Sequence, residues 1–254
     1  MPHVQMGLAR EWIVPEETDA RFVSQHLAAY AFAKPFVQGK RVLEIGFGDG
    51  YGSNDLADVA SEVTGIDREA NKISRARQKY PRPNLRFLEM DATQLRFPDS
   101  SFEAVCSFQV IEHIPEALLQ QCLSEIRRVL TPQGVLCVST LNLEHNMKPG
   151  RPYEKLCFHE KEFTGPELRA LLLHVFPSVE LHGLYLTRRH RLFQRLKKWG
   201  LMKLGPAHLN PVARFYSRVP VNAFRTKPRI APDALDLLAV CRKTMTSGSI
   251  PNPR

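Results

Sequence analysis

The chain has 254 residues, 43% of them hydrophobic and 24% charged, with a formal net charge of +9. That length suffices for one well-buried α/β domain plus an elaboration. No apolar run approaches the roughly 20 residues of a membrane-spanning helix, and the N-terminal stretch, with Glu11, Glu16, Glu17 and Asp19, lacks the apolar centre of a signal peptide. A cytoplasmic location is therefore expected. Cys106, Cys122, Cys137, Cys157 and Cys241 form no C-x-x-C pair. They read as free buried thiols of a reducing compartment, and no metal centre is expected.

Residues 1–40 form a lead-in, irregular up to residue 15. From Thr18 to Val37, apolar residues recur at Phe22, Val23, Leu27, Tyr30, Ala31, Phe32 and Phe36, the stripe of a helix. Arg41 to Ile45 then reads as a short buried strand. Gly46, Gly48, Gly50 and Gly52 follow at every second position, and a helical pattern begins near Asn54. Strand, glycine turn and helix open a βαβ nucleotide-binding unit. The spacing is not that of a dinucleotide fingerprint, because Tyr51 falls between the glycines. Glu44, two residues before the first glycine, adds a charge that repels a pyrophosphate and attracts an ammonium or sulfonium.

A second strand, 62–67, closes on Asp67, about 20 residues beyond the glycine turn. That is where doubly wound folds place an acid on the ribose hydroxyls; capping the next helix is the competing role. The helix carries Ile73, Ala76 and Tyr80 and ends at Pro81 and Pro83. A third strand, 85–89, runs into Met90-Asp91-Ala92, and a loop from Leu95 to Glu103 leads to a fourth strand at 104–107. After it comes Ser107-Phe-Gln-Val-Ile-Glu-His-Ile114. His113 thus sits at the carboxyl end of a central strand, where open α/β sheets bind ligands. It suits proton transfer by its near-neutral pKa, or a structural hydrogen bond. A helix over 115–130, an apolar strand over 135–140 and a polar loop over 142–155 follow. Phe158-His159 leads to a capping box, Thr164-Gly-Pro-Glu167, and another helix. His159 is a second base candidate near the same mouth.

Strands over 178–185 and 235–242 complete the pattern, and residues 244–254 read as a disordered tail. Between Glu180 and Asp233 there is no acidic residue and there are 12 Lys or Arg, more than the whole chain's net +9. The basic character therefore belongs to one segment, taken as 187–232. Leu192, Phe193, Leu196, Trp199 and Met202 give its first part an apolar helical face. Such a helix over 187–204 suits peripheral contact with an anionic membrane surface, an anionic acceptor, or a lid with solvated charges.

Five motifs stand in order: E-x-G-x-G-x-G at 44–50, the acid at 67, L-x-F-P-D-x-S-F-E-x-V at 95–105, V-I-E-H-I at 110–114 and F-H-x-x-E-F-T-x-x-E-L at 158–168. Together they resemble the class I S-adenosylmethionine (SAM) methyltransferases, in particular those acting on quinones, sugars and lipids. The resemblance covers about residues 20–185 and the last strand. It implies an α/β, Rossmann-like doubly wound seven-stranded sheet with the last strand antiparallel. The core would be 41–186 with 233–243, and the basic insertion 187–232 would stand over the substrate opening.

The resemblance also implies SAM as the cofactor, held by Tyr30, Glu44, Gly46, Gly48, Gly50, Asp67, Arg68, Asp91, Ala92, Ser107 and Gln109. Tyr30 and its helix would cover the methionine end. Asp91 would meet the adenine amino group, and an adjacent apolar residue its ring. Ser107 to Gln109 would lie against the methionine. The N-P-P-Y-like tetrapeptide of nucleic-acid amino-methyltransferases is missing after the fourth strand, so nucleic acid is not the expected partner. The expected acceptor is a small molecule, methylated on an oxygen of a saccharide or lipid-linked envelope precursor. A quinone-type carbon methyltransferase and a SAM-binding protein without turnover are the alternatives.

Overall fold

The computed structural model describes residues 12–147, 152–153, 155–192 and 219–244. Its sheet begins with the apolar run that the sequence marks. β1 (Arg41–Ile45) is buried from Val42 to Ile45. Its neighbours β2 (Glu62–Asp67), β3 (Leu85–Glu89), β4 (Phe102–Phe108) and β5 (Leu130–Leu141) extend the parallel part. β6 (Ser178–Leu186), β7 (Phe224–Lys227) and β8 (Asp236–Arg242) complete it. The order across the sheet is β3-β2-β1-β4-β5-β8-β6-β7. β8 runs antiparallel between β5 and β6, as expected for the final strand.

The strand count differs from the expected seven: the described residues form a sheet of eight strands. The extra strand, β7, comes from inside the segment read as an insertion and pairs antiparallel with β6, Leu186 opposite Phe224. Only Phe224 in it is buried. Arg225, Thr226 and Lys227 are exposed, the charged, short edge that discourages further strand pairing. That composition carries no alternation, so nothing in the sequence marks it as a strand. Residues 193–218, which hold most of the apolar face and basic cluster assigned to a lid or membrane contact, lie outside the described residues.

Two layers of helix cover the sheet. On one face α1 (Ala20–Val37) buries Ala28, Ala29, Tyr30, Ala33 and Val37. It packs there with Leu56 of α2 (Tyr51–Leu56) against Val42, Ala104 and Val135. On the other face α4 (Glu116–Val129) buries Leu119, Cys122, Leu123, Ile126 and Val129. α6 (Gly165–Leu173) buries Leu168 and Leu172 beside it, against Leu43, Val105 and Leu136. The capping box read at Thr164 and Glu167 starts α6. α3 (Ala70–Lys79) lies over β2 and β3, and α5 (Leu143–Asn146) is a single turn after β5. Cys106, Cys122, Cys137 and Cys241 are buried thiols and Cys157 is exposed. No helix among the described residues is long and apolar enough to cross a membrane.

Candidate active site

Parallel strands end on the same edge, and the connections reverse direction between β1 and β4. A crevice forms at such a switch point. Here it is a cavity of about 350 Å³, within the size range of small-molecule sites. Its walls include Gly46, Gly48, Asp67, Arg68, Asp91, Ala92 and Gln109, together with His113 and His159. Sequence positions as far apart as 46 and 159 are thus brought to one cleft.

The glycine turn is shaped for close approach. Gly46, Gly48 and Gly50 have φ of 70°, 61° and 94°, values that an L side chain rarely adopts. A Cβ on Gly46 would meet Val110 Cγ2 at 2.6 Å. Gly50 is the left-handed cap of α2 and lies against Ala76, Tyr80 and Phe87 rather than in the cavity wall. Asp49 anchors the loop from behind: its Oδ2 accepts from Lys79 Nζ at 2.8 Å and from Tyr80 Oη at 3.1 Å.

Asp67, at the end of β2, is buried and held by three donors. Gly48 N donates to Oδ2 at 3.2 Å, and Glu69 N and Lys72 Nζ donate to Oδ1 at 3.2 and 3.4 Å. Its carboxylate is oriented by the very loop it faces. Lys72 itself lies under the Trp12 ring, 4.4 Å from the centroid, a cation–π contact. Asp91, one connection further, is exposed and accepts from Thr93 N and Oγ1, each at 2.7 Å. These bonds favour the charged form and hold its carboxyl below the usual range. A glycine turn bounded by two carboxyl side chains after successive strands fits an adenosyl group with its hydroxyl and amino donors.

Three residues assigned to the cofactor do not line the cavity in addition to Gly50. Ser107 is buried inside the sheet, in register with Ile45 and Val138. Tyr30 and Glu44 lie behind the wall. Side chains alternate along a strand, so Glu44 shares the face of Val42 and points at α1, while Leu43 and Ile45 point to the opposite layer. There Tyr30 Oη donates to Glu44 Oε1 at 2.5 Å, and Ser53 Oγ donates to Oε2. Burial raises the Glu44 carboxyl to about 7. Glu44 therefore does not present a charge to the cavity, contrary to the expectation from its place before the glycines; it is an internal, easily neutralised acid joining β1, α1 and α2.

The same cavity also holds His113 and His159, and beside them Glu112, an acid to which the sequence assigns no role. Gln109 has a left-handed φ of 55° and is pinned by Ser139, whose carbonyl accepts from Gln109 N at 2.9 Å. The chain then turns through a short 3-10 segment, Ile111–His113. Glu112 is fully buried beside the Thr140 hydroxyl, neither of its carboxylate oxygens makes a well-formed hydrogen bond, and burial pushes its carboxyl up to about 8. Its backbone carbonyl accepts from Glu160 N at 2.7 Å and Lys161 N at 3.2 Å. Those two bonds draw the 158–162 loop against the end of β4.

The two histidines then meet edge to face, with ring centroids 4.9 Å apart. His113 Nδ1 lies 3.0 Å from the carbonyl of Phe158. His159 Nδ1 lies 2.6 Å from Glu162 Oε1. Burial lowers the His159 pKa to about 4, so its ring is neutral and Nδ1–H is the donor to Glu162. Glu162 also accepts from Tyr153 Oη. Ligand-capable atoms of Glu112, His113 and His159 all fall within 4.8 Å of one another.

Two further polar groups line the cavity from α1 and β8. Asp236 accepts from Gln25 Nε2 at 3.0 Å through both oxygens, and burial raises its carboxyl to about 7. His26 contacts Tyr51 Oη, and burial lowers its pKa to about 4. Asp236 has no motif around it in the sequence. It is found only through the antiparallel pairing of β8 with β5, which sets Asp236 opposite Leu141 at the ligand edge.

Residues 43–138 match the methyltransferase domain family. A probable SAM-dependent methyltransferase from Mycolicibacterium smegmatis is 41% identical over 134 residues, 53% of this chain and 50% of the relative. One from Mycobacterium tuberculosis is 32% identical over 182 residues, 71% of this chain and 65% of the relative. The chain thus spans between half and about two thirds of the length of these curated relatives. Among solved structures, a SAM-dependent methyltransferase and possible histamine N-methyltransferase from Thermotoga maritima superposes with a TM-score of 0.60 at 16% identity, over 89% of this chain and 93% of that one. A likeness at that identity speaks for the fold alone. The sheet, the cleft at its switch point and these relatives together make the chain similar to the SAM-dependent methyltransferases, and residues 43–138 match a methyltransferase domain.

Proposed function

We propose that this protein transfers the methyl group of SAM to an oxygen of a small acceptor, carried on a lipid or lipid-linked molecule. One observation supports this reading above the others. A single cavity is lined both by Gly46, Gly48, Asp67 and Asp91 and by Glu112, His113 and His159, with apolar neighbours such as Leu118, Leu156 and Phe158. Bound in this cavity, SAM supplies an activated methyl on its sulfonium, so the protein's task is chiefly alignment. Asp67 and Asp91 hold the donor's hydroxyl and amino groups, and Gln109 lines the same cavity. His113 and His159 orient the acceptor and ease the loss of its proton.

The names of matched relatives favour apolar acceptors. They include a fatty-acid O-methyltransferase from Mycolicibacterium smegmatis, 36% identical over 40% of this chain, and a demethylmenaquinone methyltransferase from Beutenbergia cavernae, 34% identical over 52%. The second name keeps carbon methylation as the rival reading. Incubation with methyl-labelled SAM and separate panels of fatty acids, hydroxylated or saccharide-bearing lipids and demethylmenaquinone distinguishes them. Label recovered as a methyl ether or ester supports the proposal; label on carbon or nitrogen contradicts it. SAM binding without transfer to any panel would leave a SAM-binding protein without turnover as the better reading.

A further inference from the structure

We propose that Glu112, His113 and His159 form a binding site for one divalent transition-metal cation, of the Zn²⁺ or Mn²⁺ kind, in the same cavity. The inference deepens the oxygen-acceptor reading and rests on it for its catalytic meaning, though not for the binding itself.

Three independent observations carry it. First, ligand-capable atoms from the three side chains lie within 4.8 Å of one another. Tetrahedral ligands at about 2.0–2.2 Å from one cation lie about 3.3–3.6 Å apart, so side-chain shifts on the order of an ångström close the set.

Second, each histidine is held by one ring nitrogen in the manner of metal-bound imidazoles. His113 Nδ1 is at 3.0 Å from the Phe158 carbonyl, and His159 Nδ1 is at 2.6 Å from the Glu162 carboxylate. A carbonyl or carboxylate behind Nδ1–H fixes the tautomer that offers Nε2 as a ligand. Glu162 is itself braced by Tyr153 Oη and by Leu156 N at 3.4 Å.

Third, Glu112 is a carboxyl group with 0% exposure that lines the cavity, with the Thr140 hydroxyl beside it but no well-formed hydrogen bond to either oxygen. Leaving such a group unsatisfied costs about 1–3 kcal/mol, more if charged. A cation removes that cost, and buried carboxylates that persist are generally paired or metal-bound. Two imidazoles and one carboxylate suit borderline transition metals; Mg²⁺ and Ca²⁺ prefer oxygen-only sets. Three protein ligands also leave open positions for an acceptor hydroxyl.

The cation gives the site a way to ionise an alcohol. A hydroxyl oxygen bound to it is acidified as bound water is. The O–H bond breaks heterolytically and its proton passes to solvent water. The oxygen then uses its electron pair to bond the methyl carbon, while the pair of the breaking C–S bond stays on sulfur.

The test reads cation binding without SAM or acceptor, so it is separate from the transfer reaction. The full chain is stripped with EDTA and dialysed against Zn²⁺ and, separately, Mn²⁺. The expected result is one equivalent bound, with affinity lowered at least tenfold by Glu112→Gln and by His113→Asn. Glu162→Gln, which leaves all three ligands in place, should weaken binding about 10–100-fold. His174→Asn, at an exposed histidine on α6's C-terminal side, should leave it unchanged. Thermal melts of the stripped proteins check folding; if Glu112→Gln does not fold, His113→Asn at a half-buried position carries the test. No binding of either ion, or one equivalent bound equally by wild type, His113→Asn and Glu162→Gln, overturns the proposal. Binding of S-adenosylhomocysteine by the stripped protein, measured alongside, reports separately on the cofactor reading.

Discussion

Tyr30 Oη donates to Glu44 Oε1 at 2.5 Å, and both side chains are buried between α1 and β1. The pair joins the lead-in helix to the strand that carries the glycine turn, without either group lining the cavity. Tyr30→Phe removes a donor from a buried acid and should destabilise the fold by about 1–3 kcal/mol. Affinity for S-adenosylhomocysteine should change less than about threefold. Denaturant unfolding and calorimetry read the two quantities. A large loss of affinity at unchanged stability would mean that Tyr30 reaches the ligand after all.

The glycine turn makes a sharper claim. Gly46 combines a φ of 70° with a site where an added Cβ would lie 2.6 Å from Val110 Cγ2. Gly46→Ala therefore meets both backbone strain and overpacking, each costing on the order of 1–3 kcal/mol. Because Val110 also lines the cavity, affinity for S-adenosylhomocysteine should fall at least tenfold. A melting temperature and affinity matching wild type would refute this account of the turn.

The buried acids give a pH dependence with a definite sign. Burial raises Glu44 and Asp236 to about 7. Native Glu44 sits among Tyr30, Ser53, Asp55 and Asp67, and Asp236 beside Gln25 and Arg21. Between the ordinary carboxylate range and pH 7 the folded state binds more protons than the unfolded chain. The stability that these groups contribute is present at low pH and is lost as pH rises through 7. His26 works in the opposite sense, since its pKa is lowered to about 4, but its effect is complete above about 6.5. Between pH 6.5 and 8 the melting temperature should therefore fall by a few degrees. Asp236→Asn should flatten that slope. A melting temperature that rises across this window would contradict the assignment.

Much of this site is written locally in the chain. The strand, the alternating glycines and Asp67 lie within 26 residues of one another, and each reports a backbone need that one element satisfies. Glu44 sits in the same motif, yet its role depends on which face of β1 it takes. Val42 and Leu43 settle that only once the layers on both sides are known. His113 and His159 each read as a base candidate on their own. Their meeting depends on the Glu112 carbonyl capturing the amides of Glu160 and Lys161, a contact between segments about 48 residues apart that no pattern announces. Asp236 depends on strand insertion in the same way. β7 was not legible because Phe224 is its only buried residue. The basic run around it is the composition of a charged edge as much as of a loop.

The central claim is that the cradle between Gly46 and Asp91 holds the methyl donor, with Asp67 as its orienting acid. Isothermal calorimetry with S-adenosylhomocysteine tests this directly. Wild type should bind it in the micromolar range, Asp67→Ala should bind at least tenfold more weakly, and NAD should give no heat. No binding of S-adenosylhomocysteine to the folded wild type, or an Asp67→Ala variant that binds it as well as wild type, would contradict the account.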